Sequence, residues 1–256
     1  MDAFLFPGQG SQRRGMGQEL FDAVPEFRNN ESEINAILGY SLRDLCVDDK
    51  ENKLRETQYT QPALYAVNFL HYCKSVRDGK KADYVAGHSL GEFNALTAAG
   101  AFDFLTGLRI VKIRGELMAR ARNGAMAAVI GPPASFVESV LQRHGLQAID
   151  VANYNSPKQT VISGPQDEIK QAEAAFKLPE VQLFIQLPVS AAFHSRYMGE
   201  AAKEFGRALA EFEIGELKLP VAANVTGSVY PSQSGGEAVR SMLVKQIESP
   251  VRWEAT

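Results

Sequence analysis

Gly87-His88-Ser89-Leu90-Gly91 constrains the fold more than any other stretch of this chain. It fits a G-x-S-x-G pattern and stands between a short apolar run, Asp83 to Gly87, and a helical segment, Glu92 to Ala99, stopped by Gly100. A serine between strand and helix sits on a tight turn that pushes its hydroxyl out of the fold. Glycines flank it because larger side chains would clash with neighbouring backbone. The following helix turns its first N–H groups toward the serine, and the Leu90 N–H is placed to stabilise an oxyanion. The alternative is a chance match, since only three positions of the pattern are fixed.

The rest of the chain supplies the α/β framework that such a turn needs. Ala3 to Phe6 reads as a strand ending in the sharp loop Pro7-Gly8-Gln9-Gly10, Thr60 to Tyr72 as a buried helix, and Phe104 to Arg122 as a longer one. The texture changes near Asn123-Gly124. From there strand (126–130), helix (134–143), strand (148–152), strand (160–163), helix (167–176) and strand (181–187) follow, a β-α-β-β-α-β order of the ferredoxin-like plan. After Pro188 a helix near 197–212 and a strand at 220–225 return to α/β texture. The expected architecture is an α/β-hydrolase-like large domain, residues 1–123 and 188–256, with an inserted small ferredoxin-like domain at 124–187.

A serine nucleophile needs a base. Of the four histidines, His71 lies in an apolar helix and reads as a packed core residue. His144 reads as a solvated helix end, and His88 adjoins the serine on a turn where neighbours point apart. His194 sits in the loop Ser190 to Ser195, where catalytic side chains tend to be carried on a rigid scaffold, and is the best candidate by elimination. Arg114 falls on the apolar face formed by Ile110, Val111, Ile113, Leu117 and Met118. An arginine there needs a carboxylate, internal or from a ligand, although a structural ion pair or a snorkelling side chain reads equally well. Gly8-Gln9-Gly10 is too short for a P-loop and lacks its Lys-Ser/Thr ending; a loop lending an oxyanion donor fits better.

Composition narrows the function classes. The 256 residues are 45% hydrophobic with net charge −3, so the totals carry no nucleic-acid footprint. Cys46 and Cys73 have no metal-type spacing and suit a reduced, cytoplasmic protein. No signal peptide or membrane span is read, and the Asn224-Val225-Thr226 sequon is taken as chance.

FPGQGSQ (6–12), TQPAL (60–64), GHSLGE (87–92), IRGELM (113–118), MAAVIG (126–131), NSPKQTVISG (155–164), AAFHS (191–195), NVTG (224–227) and SPVRW (249–253) run from end to end of the chain. In that order they resemble the malonyl-CoA:acyl carrier protein transacylase family, with GHSLGEFNAL and AAFHSRYM most similar to its free-standing, trans-acting members serving polyketide synthases. The resemblance implies Ser89 as nucleophile and His194 as its base, the histidine oriented by backbone carbonyls. It implies Gln9 and Leu90 as oxyanion donors, Arg114 as the ligand of the malonyl carboxylate, Gln61 near the site, and Phe193 crowding a methyl-branched extender. One methyl is worth only about 1–3 kcal/mol, so that preference is expected to be incomplete. Family members usually continue past SPVRW, so either a truncation or a natural continuation beyond Thr256 is expected.

The resemblance also implies malonyl-CoA as substrate, no separate cofactor and no metal. The expected partner is an acidic, phosphopantetheinylated acyl carrier protein, with Arg13, Arg14, Lys112, Arg120, Arg122 and Arg196 as docking candidates or plain surface charges. No nucleic-acid or membrane partner is expected, and a monomer is the default. Two rivals stand: a hydrolase sharing Ser89 and His194, and a catalytically dead scaffold.

Overall fold

The computed structural model describes residues 1–231 and 236–256. Its elements run β1 (Ala3–Phe6), α1 (Gln18–Phe21), α2 (Pro25–Arg28), α3 (Glu31–Leu38), α4 (Leu42–Val47), α5 (Thr57–Arg77), β2 (Tyr84–Gly87), α6 (Gly91–Ala98) and α7 (Phe104–Arg120). They continue with β3 (Gly124–Ile130), α8 (Ala134–Arg143), β4 (Asp150–Ser156), β5 (Gln159–Pro165), α9 (Gln166–Ala175) and β6 (Leu183–Gln186). The last are α10 (Gly199–Leu209), β7 (Ala222–Ala223), β8 (Ser228–Val229) and α11 (Gly236–Glu248). The chain is mixed α/β. It divides into two compact units: Met1–Leu117 with Ala208–Ala223 and Val229–Arg240, and Met118–Arg207 with Asn224–Ser228 and Ser241–Thr256.

In the first unit β1 and β2 are parallel, with Phe6 opposite Gly87, so the FPGQ and GHSL loops leave adjacent strands at the same end. A bridge from Val85 to Val221 flanks β2 on its other side, and Val85, Ala86 and Gly87 are buried, as a parallel strand covered on both faces must be. Helix α5 is buried on every side from Thr60 to Asn68. Its polar side chains therefore bond internally. The Asn68 amide donates to Pro7 O (3.0 Å) and to Asn94 Oδ1 (3.1 Å), while the Tyr65 hydroxyl pairs with Thr97 Oγ1 at 2.8 Å. Asn68 thus ties the loop after β1 to α6.

In the second unit β3 to β6 form an antiparallel sheet of order β4-β5-β3-β6. Alternate residues of β3 (Ala125, Ala127, Val129) join a core with Val137, Val140 and Leu141 of α8 and Ile169 and Ala172 of α9. Val251 exchanges backbone bonds with Ala152 and Tyr154, which extends the sheet beyond β4.

The strand expected at 148–152 begins at Asp150 instead, because Ile149 closes a turn onto Leu146 O (3.1 Å) and its side chain packs into the helix-covered core. The strand expected at 220–225 shrinks to β7 and the Val221 bridge. His71 is exposed rather than packed, since α5 emerges from the core in its last turns. His144 lies exposed at the C-cap of α8. Asn224 is fully buried and its carbonyl accepts from Arg252 N–H at 2.9 Å, which closes the sequon to glycosylation in the fold.

Candidate active site

The first unit carries Gln9, Gln61, Ser89, Leu90 and Arg114; the second carries Phe193 and His194. Ser89 has φ +50°, a left-handed conformation rare for a side-chain-bearing residue and the mark of a turn held in strain by its surroundings. The reason for its glycines is geometric. A Cβ on Gly87 would lie 1.9 Å from the Gly91 carbonyl carbon, and one on Gly91 would lie 2.1 Å from Phe6 O. The turn, the start of α6 and the end of β1 are therefore packed backbone to backbone. His88 N–H donates to Phe6 O at 3.0 Å and locks the two loops in register. Leu90, at the N-cap of α6, is fully buried. Gln9 lies on the neighbouring loop, its side-chain amide donating to Thr57 Oγ1 at 3.2 Å.

Arg114 is fully buried, which excludes the snorkelling reading. Its guanidinium donates to Gln61 Oε1 (2.7 Å) and to Ser89 Oγ (3.1 Å) and lies over the Phe93 ring at 5.3 Å. Burial pulls its pKa down to about 10, against the opposing pull of the Glu92 carboxylate, so it remains a cation at neutral pH. Gln61, which has no assigned role from sequence, orients that cation. A guanidinium withdrawn from water and directed at a serine hydroxyl suits an anionic group on whatever reacts there.

In the second unit His194 has φ +57° and is buried. Its Nδ1 lies 2.8 Å from Gln246 O, so Nδ1 carries the proton and donates it to that carbonyl, leaving Nε2 as the basic nitrogen. Gln246 is in the last turn of α11, where helix carbonyls have no intrahelical partner. The imidazole thus caps a helix C-terminus. Ser195 Oγ accepts from Tyr197 N–H and donates to Ala192 O (2.5 Å), and Arg196 forms an ion pair with Asp150; together they fix the C-terminal end of the loop. Phe193 is buried beside them. An open cavity of about 790 Å3 in this unit reaches His194, with Leu141, Ile149, Tyr154 and Pro250 among its walls.

Among the docking candidates, Arg13 and Arg14 are exposed, whereas Lys112, Arg120 and Arg196 pair with Glu116, Glu204 and Asp150. Three contributors escaped the sequence reading: Gln246, which acts through its backbone, and the Glu92–Tyr230 pair, hydrogen-bonded at 2.5 Å. A charged residue inside the largely apolar run LGEFNAL was the only signal for Glu92. Among the described residues no group of three or more His, Cys, Asp or Glu is arranged to hold a metal, and no helix is long and apolar enough to cross a membrane.

An α/β chain with a serine on a strained strand-to-helix turn, beside a guanidinium withdrawn from water, has the architecture of a serine acyl-transfer enzyme. Comparison with known proteins makes the assignment specific: the chain belongs to the acyl transferase domain family, which matches residues 3–256. It is 50% identical over 255 residues to the polyketide biosynthesis malonyl CoA-acyl carrier protein transacylase BaeC of Bacillus velezensis, covering 99% of this chain and 86% of that protein. The crystal structure of malonyl CoA-acyl carrier protein transacylase from Burkholderia pseudomallei is 48% identical, with TM-score 0.92 over 99% of this chain and 85% of that one. A malonyl-transacylase solved in complex with a type II polyketide synthase acyl carrier protein is 36% identical, with TM-score 0.90 over 98% and 82% of the two chains.

Proposed function

We propose that this protein transfers a malonyl group from malonyl-CoA to the phosphopantetheine thiol of an acyl carrier protein in polyketide or fatty acid biosynthesis. The observation that carries the reading is the Ser89 hydroxyl within hydrogen-bond reach of the buried Arg114 guanidinium. A nucleophile and a carboxylate clamp 3.1 Å apart suit an acyl group with a free carboxylate a short distance from its carbonyl, as malonyl has.

In the proposed cycle the Ser89 Oγ attacks the thioester carbonyl and its proton passes to His194 Nε2. The oxyanion is met by the Gln9 and Leu90 backbone N–H groups. The C–S bond breaks, the imidazolium protonates the departing thiolate, and a malonyl-serine ester remains. The carrier-protein thiol then gives its proton to Nε2 and attacks the ester, and Ser89 regains a proton as the malonyl group leaves. No separate cofactor takes part. Phe193 narrows the acyl pocket against a methyl branch. The cavity beside His194 suits the pantetheine arm, and Arg13 and Arg14 are the exposed cations best suited to an acidic carrier protein.

In this reading an α/β-hydrolase-like domain (1–123 and 188–256) carries an inserted ferredoxin-like domain (124–187), supported by the antiparallel order β4-β5-β3-β6. A reduced, cytoplasmic setting suits two buried free thiols. A hydrolase of neutral acyl chains would have no use for the Arg114 cation. The test is intact-mass analysis after mixing with malonyl-CoA, with acetyl-CoA and Ser89→Ala as controls. The expected result is a malonyl adduct that requires Ser89, exceeds acetyl loading and moves to added carrier protein. Free acid released from longer acyl thioesters, with no malonyl adduct, overturns the proposal.

A further inference from the structure

Among the described residues, Glu92 and Arg114 are the only Asp, Glu, Lys or Arg side chains that are buried. One buried charge of each sign in a domain is notable because each is costly to desolvate alone and tolerable only when compensated. The two flank the same serine. Ser89 Oγ accepts from Arg114, Glu92 follows Ser89 by three residues and donates its backbone N–H to Ser89 O (3.1 Å), and Phe93 beside it supports the guanidinium through its ring. Glu92 lies in the first turn of α6, where the helix N-terminus favours a carboxylate. Its Oε1 accepts the buried Tyr230 hydroxyl at 2.5 Å, and Tyr230 is itself anchored by its N–H on Val221 O at 2.8 Å. That hydroxyl stays protonated, since burial and the adjacent carboxylate both push its pKa up.

We infer that Glu92 is the resident counter-charge of Arg114, a positioning residue that sets how strongly the acyl pocket prefers an acyl group bearing a carboxylate, with the Tyr230 hydroxyl donating to it. This rests on the malonyl reading above. With Glu92 ionised, the empty pocket is neutral overall and a bound malonyl carboxylate makes it net negative. Glu92 therefore opposes retention of the carboxylate that Arg114 attracts, and favours handing the group on over storing it. The Glu92 carboxylate acts on Arg114 through charge, opposing the burial that pulls the guanidinium's pKa down.

The test compares malonyl-CoA and acetyl-CoA loading, as kcat/KM, in wild type, Glu92→Gln and Glu92→Asp. Glu92→Gln keeps the shape and removes the charge. Its malonyl-to-acetyl ratio rises on the order of tenfold, mainly through KM, because one unscreened charge beside a buried carboxylate acts on that scale. Glu92→Asp keeps the charge, and its ratio stays within about twofold of wild type on the same reasoning. Equal losses for both substrates, or a fall in the ratio, overturn the inference. If Glu92→Gln folds but is too unstable to assay, the double variant with Arg114→Met decides. A melting temperature above that of either single variant supports mutual compensation, and additive losses overturn it. A wild type that does not favour malonyl would instead sink the functional reading, while the melting comparison still tests the charge pair.

Discussion

Replacing Arg114 with methionine removes the cation while keeping an unbranched apolar side chain on the buried face of α7. In the free protein the guanidinium donates to Gln61 and Ser89, both neutral acceptors, among its partners. A malonyl carboxylate in two-point contact would gain two charge-assisted bonds of about 1.5–3 kcal/mol each, less what is given up in exchanging the neutral ones. A net loss of about 3 kcal/mol corresponds to roughly a 100-fold fall in kcat/KM for malonyl-CoA. Acetyl-CoA presents no carboxylate, so its rate changes little. The assay is rapid-quench intact-mass measurement of the acyl-enzyme over a range of each thioester. A parallel fall for both substrates would show that Arg114 serves only to hold Ser89 in place and would refute the clamp. The variant also leaves Glu92 as a buried anion without its counter-charge, so a lower melting temperature is expected alongside the change in selectivity.

Three further outcomes follow from the same geometry. Gly91→Ala sets a methyl 2.1 Å from Phe6 O, backbone against backbone, and is expected to cost about 3 kcal/mol or more, read by denaturant unfolding together with loss of acyl loading. Asn68→Leu removes the tie between Pro7 O and Asn94 and leaves both without that donor. A loss of about 1–3 kcal/mol in unfolding free energy, with slower loading as the Gln9 loop loosens, is expected. Burial raises the Cys46 and Cys73 thiols from 9.0 to about 12, so native protein should resist iodoacetamide at pH 8 and react only after unfolding, as read by mass. Because the folded pKa lies above the unfolded value, the stability these neutral thiols contribute is complete below pH 9 and is lost as pH rises toward 12.

The parts of the fold legible in the sequence were those with a local physical signature. The β2–turn–α6 elbow was readable because its glycines answer a steric demand set within five residues. Ala134–Arg143 matched its helix residue for residue because Val137, Val140 and Leu141 repeat at helical spacing. The four helices between Gln18 and Val47 went unread, since segments of four to eight residues are too short to show a period. α11 was missed although Val239, Leu243 and Ile247 recur every four residues, because it begins directly after a Pro-Ser-Gln-Ser-Gly run that reads as loop. Among the candidate residues, Ser89, His194 and Arg114 stood out by residue type and setting. Gln61 needed the tertiary fold, because its partner lies 53 residues away. Glu92 and Tyr230 meet across 138 residues, a pairing that no local pattern encodes.

The acceptor that orients His194 is a peptide carbonyl, and that gives it an unusual place in the genetics of the protein. Every amino acid at position 246 supplies the same oxygen, so no missense change there deletes it. The carbonyl is moved only by changes that shift the last turn of α11. Screens that score residues by side-chain replacement will therefore pass over this contact. Its loss will surface instead as mutations in the packing of α11, at Leu243 or Ile247, that misplace a histidine they do not replace.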